Sequence, residues 1–187
     1  VGVCEMIPTN LPAVGEVVFT EFMGNPSKVA DTKGEWFELY NTTSNDLPLF
    51  SLVFKDNETG GSADAYTIRD PAAMIPANGQ VVFARNIDAT ENGGVSGAYL
   101  FVGSHLKNTP AADYRLSLAM QDGTVLDEAY YGGVGGSASV PNGASIQLDQ
   151  AMRTAAANDD VNNWCAGVPV YGDGDKGTPA AENNTCQ

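Results

Sequence analysis

The sequence has few of the residues from which most enzymes build a catalytic site. Its 187 residues include a single histidine, His105, which any Ser-His-Asp triad or histidine metal site would have to use. Ser104 precedes it, but adjacent residues of a strand point to opposite faces, and triads are assembled in space. We therefore interpret His105 as a surface or loop residue and expect no enzymatic activity.

Positive charge and long apolar runs are also scarce. The 23 acidic and 9 basic residues give a formal charge of −14, which repels nucleic-acid phosphates and anionic membrane surfaces. No stretch approaches the roughly 18 to 20 consecutive apolar residues of a membrane-spanning helix. The first ten residues lack the basic start of a secretory signal, so either there is none or the chain begins after its removal. We expect neither a nucleic-acid partner nor a membrane span.

Helical periodicity is almost absent, and short apolar or alternating segments separated by turn signals take its place. Only residues 151–157 suggest one or two helical turns. A series of short strands with this spacing indicates an all-β domain, an antiparallel β-sandwich or barrel. Strands are predicted at residues 16–23, 35–41, 47–55, 66–69, 80–85, 99–102, 114–120, 125–131 and 145–148.

The most strongly patterned strand is GEWFELYN, residues 34–41. Alternation places Phe37 and Leu39 on a core face and Trp36, Glu38 and Tyr40 on the other face. If a later segment covers that second face, Trp36 is a packing residue. If nothing covers it, Trp36 and Tyr40 are candidates for contact with a partner. The other expected core residues are Phe19, Leu116 and Leu118.

Two of the three cysteines, Cys165 and Cys186, flank a Gly-, Pro- and Asp-rich tail with little predicted secondary structure. Such a segment gains order from a crosslink, so we expect these two to form a disulfide, as in exported proteins. Three free thiols in a reducing compartment are the alternative. Cys4 is then left over, either free, buried or joined to a partner.

Two groups of acidic residues are candidates for chemistry. Asp173 and Asp175 alternate with glycines in YGDGDKG, residues 171–177, and could supply oxygens to Ca²⁺, with Asp159 and Asp160 completing the shell. A solvated turn is the alternative. Glu21 and Glu38 lie on neighbouring predicted strands and form either an acid-base pair, a solvated face or bonds to a loop backbone.

Five motifs follow one another along the chain: EVVFTEFMGNP (16–26), GEWFELYN (34–41), IPANGQVVFA (75–84), DGTVLDEAYY (122–131) and GASIQL (143–148). These motifs, in this order, resemble those of the lamin tail domain family. The closing NWC and GTPAAENNTC, residues 163–165 and 177–186, resemble the ending of bacterial exported members.

The resemblance implies an immunoglobulin-like β-sandwich and a binding or structural module, although a fold does not fix a function. It departs from the family where Leu49-Phe50 stands in place of a Gly-Trp pair, and where residues 105–114 replace the usual polar turn. We divide the chain into a lead-in, 1–14, a β-sandwich, 15–149, and a C-terminal extension, 150–187, packed on it.

The functional expectation is a non-catalytic module of an exported or cell-surface bacterial protein that contacts a protein or surface polymer through its loops, residues 56–65 and 86–97. One alternative is a calcium-dependent adhesion or carbohydrate-binding module that uses the acidic tail. A second is an accessory domain of a hydrolase or nuclease system, because bacterial members of the family sometimes accompany such domains.

Overall fold

The protein is described here by a computed structural model covering residues 8–56, 64–102, 106–108, 114–131 and 140–186. Two short helices, α1 (Asp31–Gly34) and α2 (Ala155–Asn158), and two 3₁₀ turns, Gln150–Met152 and Val161–Asn163, lie among the strands of these ranges. The strands are β1 Val17–Met23, β2 Trp36–Asn41, β3 Leu47–Pro48, β4 Val53–Asp56, β5 Asp64–Thr67, β6 Met74–Ile75, β7 Gln80–Ala84, β8 Tyr99–Leu100, β9 Arg115–Ala119, β10 Val125–Tyr130, β11 Ile146–Leu148, β12 Trp164–Ala166, β13 Val170–Tyr171 and β14 Asp175–Lys176.

Two main sheets form a β-sandwich. The larger has six strands in the order β12-β11-β1-β2-β7-β8, and the smaller has four in the order β10-β9-β4-β5. All their neighbours pair antiparallel except β7 and β8, which run parallel. Two further antiparallel pairs, β3 with β6 and the hairpin of β13 with β14, each have two short strands. The fold is thus the all-β, antiparallel sandwich that the strand pattern predicts.

Aromatic side chains fill the space between the two sheets. The Phe37 ring of the six-stranded sheet lies 4.7 Å from the Phe54 ring of the four-stranded sheet and 5.0 Å from that of Phe101, both edge-on. Edge-to-face pairs of this kind add to the gain from burial alone. The five residues expected in the core are at most 1% exposed: Phe19, Phe37, Leu39, Leu116 and Leu118.

Two predicted elements are interrupted. Residues 47–55 do not form one strand, because Ser51 has a φ of 72° and the turn around it separates β3 from β4. The helical segment 151–157 is also divided. A 3₁₀ turn ends at Met152, and Thr154 then begins α2 by accepting a bond from the Ala157 N–H at its hydroxyl. A Thr at this position satisfies an N–H that has no partner inside the helix.

The C-terminal extension is part of the sandwich, and it is more regular than the sequence suggests. Its strand β12 pairs with β11 and completes the six-stranded sheet. A disulfide joins Cys165 in β12 to Cys186, with 5.7 Å between their Cα atoms, as expected. Between them, the β13–β14 hairpin and the chain up to Asn183 return across the outer face of the sheet. We call residues 170–183 the cover segment.

Candidate functional site

A row of residues in register crosses the outer face of the six-stranded sheet under the cover segment. Cys165 lies opposite Gln147, Gln147 opposite Glu21, and Glu21 opposite Glu38. Residues directly opposite one another on adjacent strands are close enough for their side chains to interact. The two carboxylates expected on neighbouring strands are therefore brought together, with a carboxamide beside them.

A bulge in β1 directs Glu21 to this face. The pairing with β2 shifts between Phe19 and Glu21, so that Thr20 is an extra residue. A one-residue insertion reverses the alternation, which lets both Phe19 and Phe22 face the core while Glu21 faces outward. Thr20 uses its position to donate from its hydroxyl to Glu38 Oε1 at 2.8 Å.

The cover segment supplies hydrogen bonds to both carboxyl groups. Glu21 accepts from the Thr178 N–H at 2.9 Å and from the hydroxyls of Thr178 and Ser145 at 2.8 and 2.5 Å. Glu38 accepts from the Ala180 N–H at 2.9 Å. Both side chains are inaccessible to solvent, at 0% and 1% exposed. The pair thus lies inside the protein and bonds to a loop backbone, one of the outcomes anticipated for it.

Burial dominates the electrostatics of the pair. Loss of hydration raises the pKa of Glu21 to about 7, although the bonds from Ser145 and Thr178 act in the opposite direction. Burial also raises the pKa of Glu38 well above its ordinary value, and the neighbouring Glu21 carboxylate raises it further. Two carboxylates that share a site cannot both ionise easily. The pair therefore retains a proton near neutral pH.

Trp36 is covered by the same segment. It is 1% exposed, its indole N–H donates to the Tyr171 hydroxyl at 3.0 Å, and the two rings meet edge-on at 5.9 Å. The hypothesis that Trp36 is an exposed contact residue is therefore wrong, because β13 packs over it. Tyr40, the other suggested contact, is half-buried, with the Arg153 guanidinium 4.6 Å from its ring centre.

No three of the four aspartates suggested as calcium ligands form a group that could hold a metal ion. Asp175 is buried and accepts from the Ser27 N–H and hydroxyl and from the Lys28 N–H, so it ties β14 to the loop after β1. Asp160 instead caps a 3₁₀ turn by accepting from the Asn162 N–H. Within the described ranges, no group of three or more acidic, histidine or cysteine side chains is arranged to hold a metal ion.

Sequence reasoning missed three of the polar residues that organise this region. Gln147 and Thr178 sit beside Glu21 in the row and the cover segment. Asp127 accepts from the Phe19 N–H at the bulge and from Asn158, and burial raises its pKa to about 7. The one signal in the sequence is the polar Gln147 between two apolar neighbours. Strand alternation alone places such a side chain in solvent.

Some predicted features lie outside the described residues. These are Cys4, Ser104, His105 and most of the proposed contact loop 56–65. The other proposed contact loop, 86–97, is described and is ordered around Asn92. That side chain is buried and bonds to the carbonyls of Asn86 and Val95.

The described residues contain no helix that is both long enough and apolar enough to cross a bilayer. No curated protein matches the chain. The family model of the Lamin Tail Domain matches residues 10–133, which is more than half of the chain. The match includes all of β2 and ends before β11, so the cover segment lies beyond it. Residues 10–133 contain β1 to β10, which form most of the sandwich described above. This sandwich is immunoglobulin-like, and the chain belongs to the lamin tail domain family.

Proposed function

We propose that this protein is a non-catalytic interaction module of an exported or cell-surface protein, and that it binds a protein or surface polymer. The family is one of protein-interaction domains, which supports a binding role. The arrangement of the acidic residues supports it as well. Glu21, Glu38 and Asp127 are buried and bonded to the protein's own backbone, so these carboxyl groups contribute to the fold and are not presented to a substrate.

The observation on which the proposed binding surface rests is an apolar edge of the sandwich. Ile87, Leu100 and Val102 are 54%, 43% and 44% exposed, and Met74 is 38% exposed. A groove beside them is lined by Tyr66, Ile87, Tyr99 and Leu100, among others. Exposed apolar groups clustered at one site are typical of a contact surface. We call this surface, formed by residues 66, 74, 87, 99, 100 and 102, the β5–β8 edge.

The β5–β8 edge also connects the two loops proposed for contact. Loop 56–65 leads into β5 and loop 86–97 leads towards β8, and the Tyr66 hydroxyl donates to the Leu100 carbonyl at 2.9 Å. Strands β8 and β5 are the outer strands of their sheets among the described residues, and a partner strand can pair with a sheet at such an edge. A protein partner fits this combination of apolar side chains and outer strands better than a polyanion does, given the charge of −14.

The proposed location rests on the disulfide. A bridge such as Cys165–Cys186 forms and persists in oxidising compartments and is rare in the cytosol. An exported or surface protein meets that condition.

The proposal is tested by capture of partners from cell-envelope fractions with the wild type and with an Ile87→Asp/Leu100→Asp variant. Any recovered protein is then purified and titrated against both forms by calorimetry. The variant is expected to lose at least tenfold in affinity, because two buried charges would be left without partners at the interface. Polysaccharide from the same envelope is titrated in parallel to detect a polymer partner.

A matched control is Val168→Asp/Val170→Asp, since these valines are 68% and 66% exposed but do not line the groove. This control is expected to bind like the wild type. Equal binding by all three proteins would remove the β5–β8 edge from the proposal. Failure to find any reconstituted partner, protein or polymer, would count against an interaction module.

A further inference from the structure

Thr178 occupies an unusual position among acceptors in the buried row. Its hydroxyl oxygen lies 2.8 Å from Glu21 Oε2, 2.9 Å from Asn183 Oδ1 and 3.3 Å from Gln147 Oε1. A hydroxyl has one proton to donate and cannot satisfy three acceptors at once. The oxygen is nevertheless held against both a carboxyl group and a carboxamide, at a site where Thr178 is only 8% exposed.

The Gln147 carboxamide is also in an unusual state. The side chain is 0% exposed, and its Nε2 has no hydrogen-bond partner among the described residues. A buried NH₂ group without a partner is destabilising, and such a group in a native protein calls for an explanation. If this nitrogen left the molecule, no buried NH₂ group without a partner would remain at Gln147, and the destabilisation would disappear.

We propose that Thr178 and Gln147 form an intramolecular ester. The Thr178 Oγ1 attacks Gln147 Cδ, forming a C–O bond and transferring its proton to the Glu21 carboxylate. The Cδ–Nε2 bond then breaks, and the nitrogen leaves as ammonia with that proton. One amide and one alcohol become one ester and one ammonia, without an oxidant, a cofactor or any net change in Glu21. This modification is independent of the binding role proposed above.

Glu21 is suited to the part of general base. It accepts the bond from the Thr178 hydroxyl directly, and it lies opposite Gln147 in the strand register. Its pKa of about 7 is close to neutral pH, where a base accepts and returns a proton most effectively. The Ser145 hydroxyl and the Thr178 N–H hold the carboxyl group in place.

The fixed positions of the two side chains favour a reaction that is slow for an ordinary amide in water. Residues 147 and 178 are fixed by β11 on one side and by the cover segment on the other, and the Thr178 hydroxyl oxygen lies 3.3 Å from the oxygen of the Gln147 carboxamide. Fixed contact of this kind replaces a high concentration of the reacting alcohol. Burial also excludes water, which would otherwise hydrolyse the amide or the ester.

The decisive measurement is the intact mass of the folded, undigested chain after reduction of its disulfide. The expected mass is that of the sequence minus one ammonia, and peptide mapping is expected to join the peptide containing Gln147 to the one containing Thr178. Hydroxylamine applied to the denatured protein is expected to separate them and leave a hydroxamate at position 147, because it cleaves esters.

Four variants test which residues take part in the reaction. Thr178→Val removes the nucleophile, Gln147→Met removes the carboxamide, and Glu21→Gln removes the base, so each is expected to have its full sequence mass. Thr20→Val is the matched control, since Thr20 donates its hydroxyl to Glu38 in the same covered region but is not bonded to Gln147. It is expected to lose ammonia like the wild type.

A wild-type protein that is oxidised at Cys165–Cys186 and has its unmodified sequence mass overturns the proposal, whether or not any variant folds. So does ammonia loss that persists in Thr178→Val or maps to another pair of residues. Replacement of the Gln147 NH₂ by OH, which is hydrolysis by water, also overturns it.

Discussion

The two faces of the six-stranded sheet are both buried, but they are stabilised in different ways. The inner face packs Phe19, Phe37 and Leu39 against a second sheet. The outer face holds Glu21 and Glu38 beside a small apolar cluster around Trp36, and the cover segment is fixed to it by hydrogen bonds and a disulfide. The inner face depends on close packing of many side chains, whereas the outer face combines a small apolar cluster with polar contacts and one crosslink. The difference predicts how the stability of the protein changes when contacts on each face are removed.

The largest effect is expected from Phe37→Ala on the inner face. Phe37 contacts five other aromatic rings in the core, and removal of a buried phenylalanine side chain costs about 3 to 5 kcal/mol through lost transfer energy and the cavity that remains. Urea unfolding measures the loss. The exposed Leu100→Ala, a control, should change stability by less than about 0.5 kcal/mol. Equal effects of the two changes would contradict the importance assigned to inner-face packing.

Loss of the disulfide is expected to have the next largest effect. Cys165→Ala/Cys186→Ala removes a crosslink between residues 21 apart in sequence, which typically costs about 2 to 4 kcal/mol. Hydrogen exchange should increase most in the cover segment, residues 170–183, while β2 and β7 stay protected. Uniform loss of protection across both sheets would show that the two faces are not separable.

The buried carboxyl groups predict a dependence on pH. The folded-state pKa values of Glu21 and Asp127, both about 7, exceed the ordinary 4.5 and 3.8. The native state therefore holds protons that the unfolded chain releases between about pH 4 and 7. Stability should be greatest at the acidic end of this window, fall as the pH rises through it, and level off above it. One pKa unit corresponds to about 1.4 kcal/mol.

Thermal unfolding at about pH 5 and about pH 8 checks this prediction. Glu38→Gln removes one of the two interacting carboxyl groups and should reduce the difference in Tm between the two pH values. The matched change Glu16→Gln, at a partly exposed carboxylate near the start of β1, should leave the difference unchanged. A stability that rises with pH would contradict the protonated pair.

The smallest effect concerns Trp36. In a Trp164→Phe variant Trp36 is the single tryptophan of the chain, and its 1% exposure predicts little quenching by acrylamide. Removal of the disulfide in the same background should increase quenching, because the cover segment is then less firmly held over the ring. Strong quenching in the oxidised protein would mean that Trp36 is not covered in solution.

The sequence allowed a correct prediction of the sandwich because alternation is local, and Phe37 and Trp36 were correctly separated by face. It could not reveal the bulge at Thr20, since a single extra residue leaves no mark in composition. Asp175 shows a second limit. Its Gly-Asp pattern suits a turn or a metal ligand, and its actual partner, Ser27, is 148 residues away. Alternation places Glu38 on the outer face of its sheet, but it does not show that a distant segment buries this face.

The cover segment has a consequence for the order in which the protein is made. Strands β1, β2 and β7 are synthesised long before residues 170–183, and the disulfide requires Cys186 and an oxidising compartment. Until then Trp36 and the two glutamates face water or whatever else is present, and the ionised glutamates would resist closure. We therefore expect the outer face to close only after the C-terminal residues are made, and the closure depends on the redox conditions around the chain as well as on its sequence.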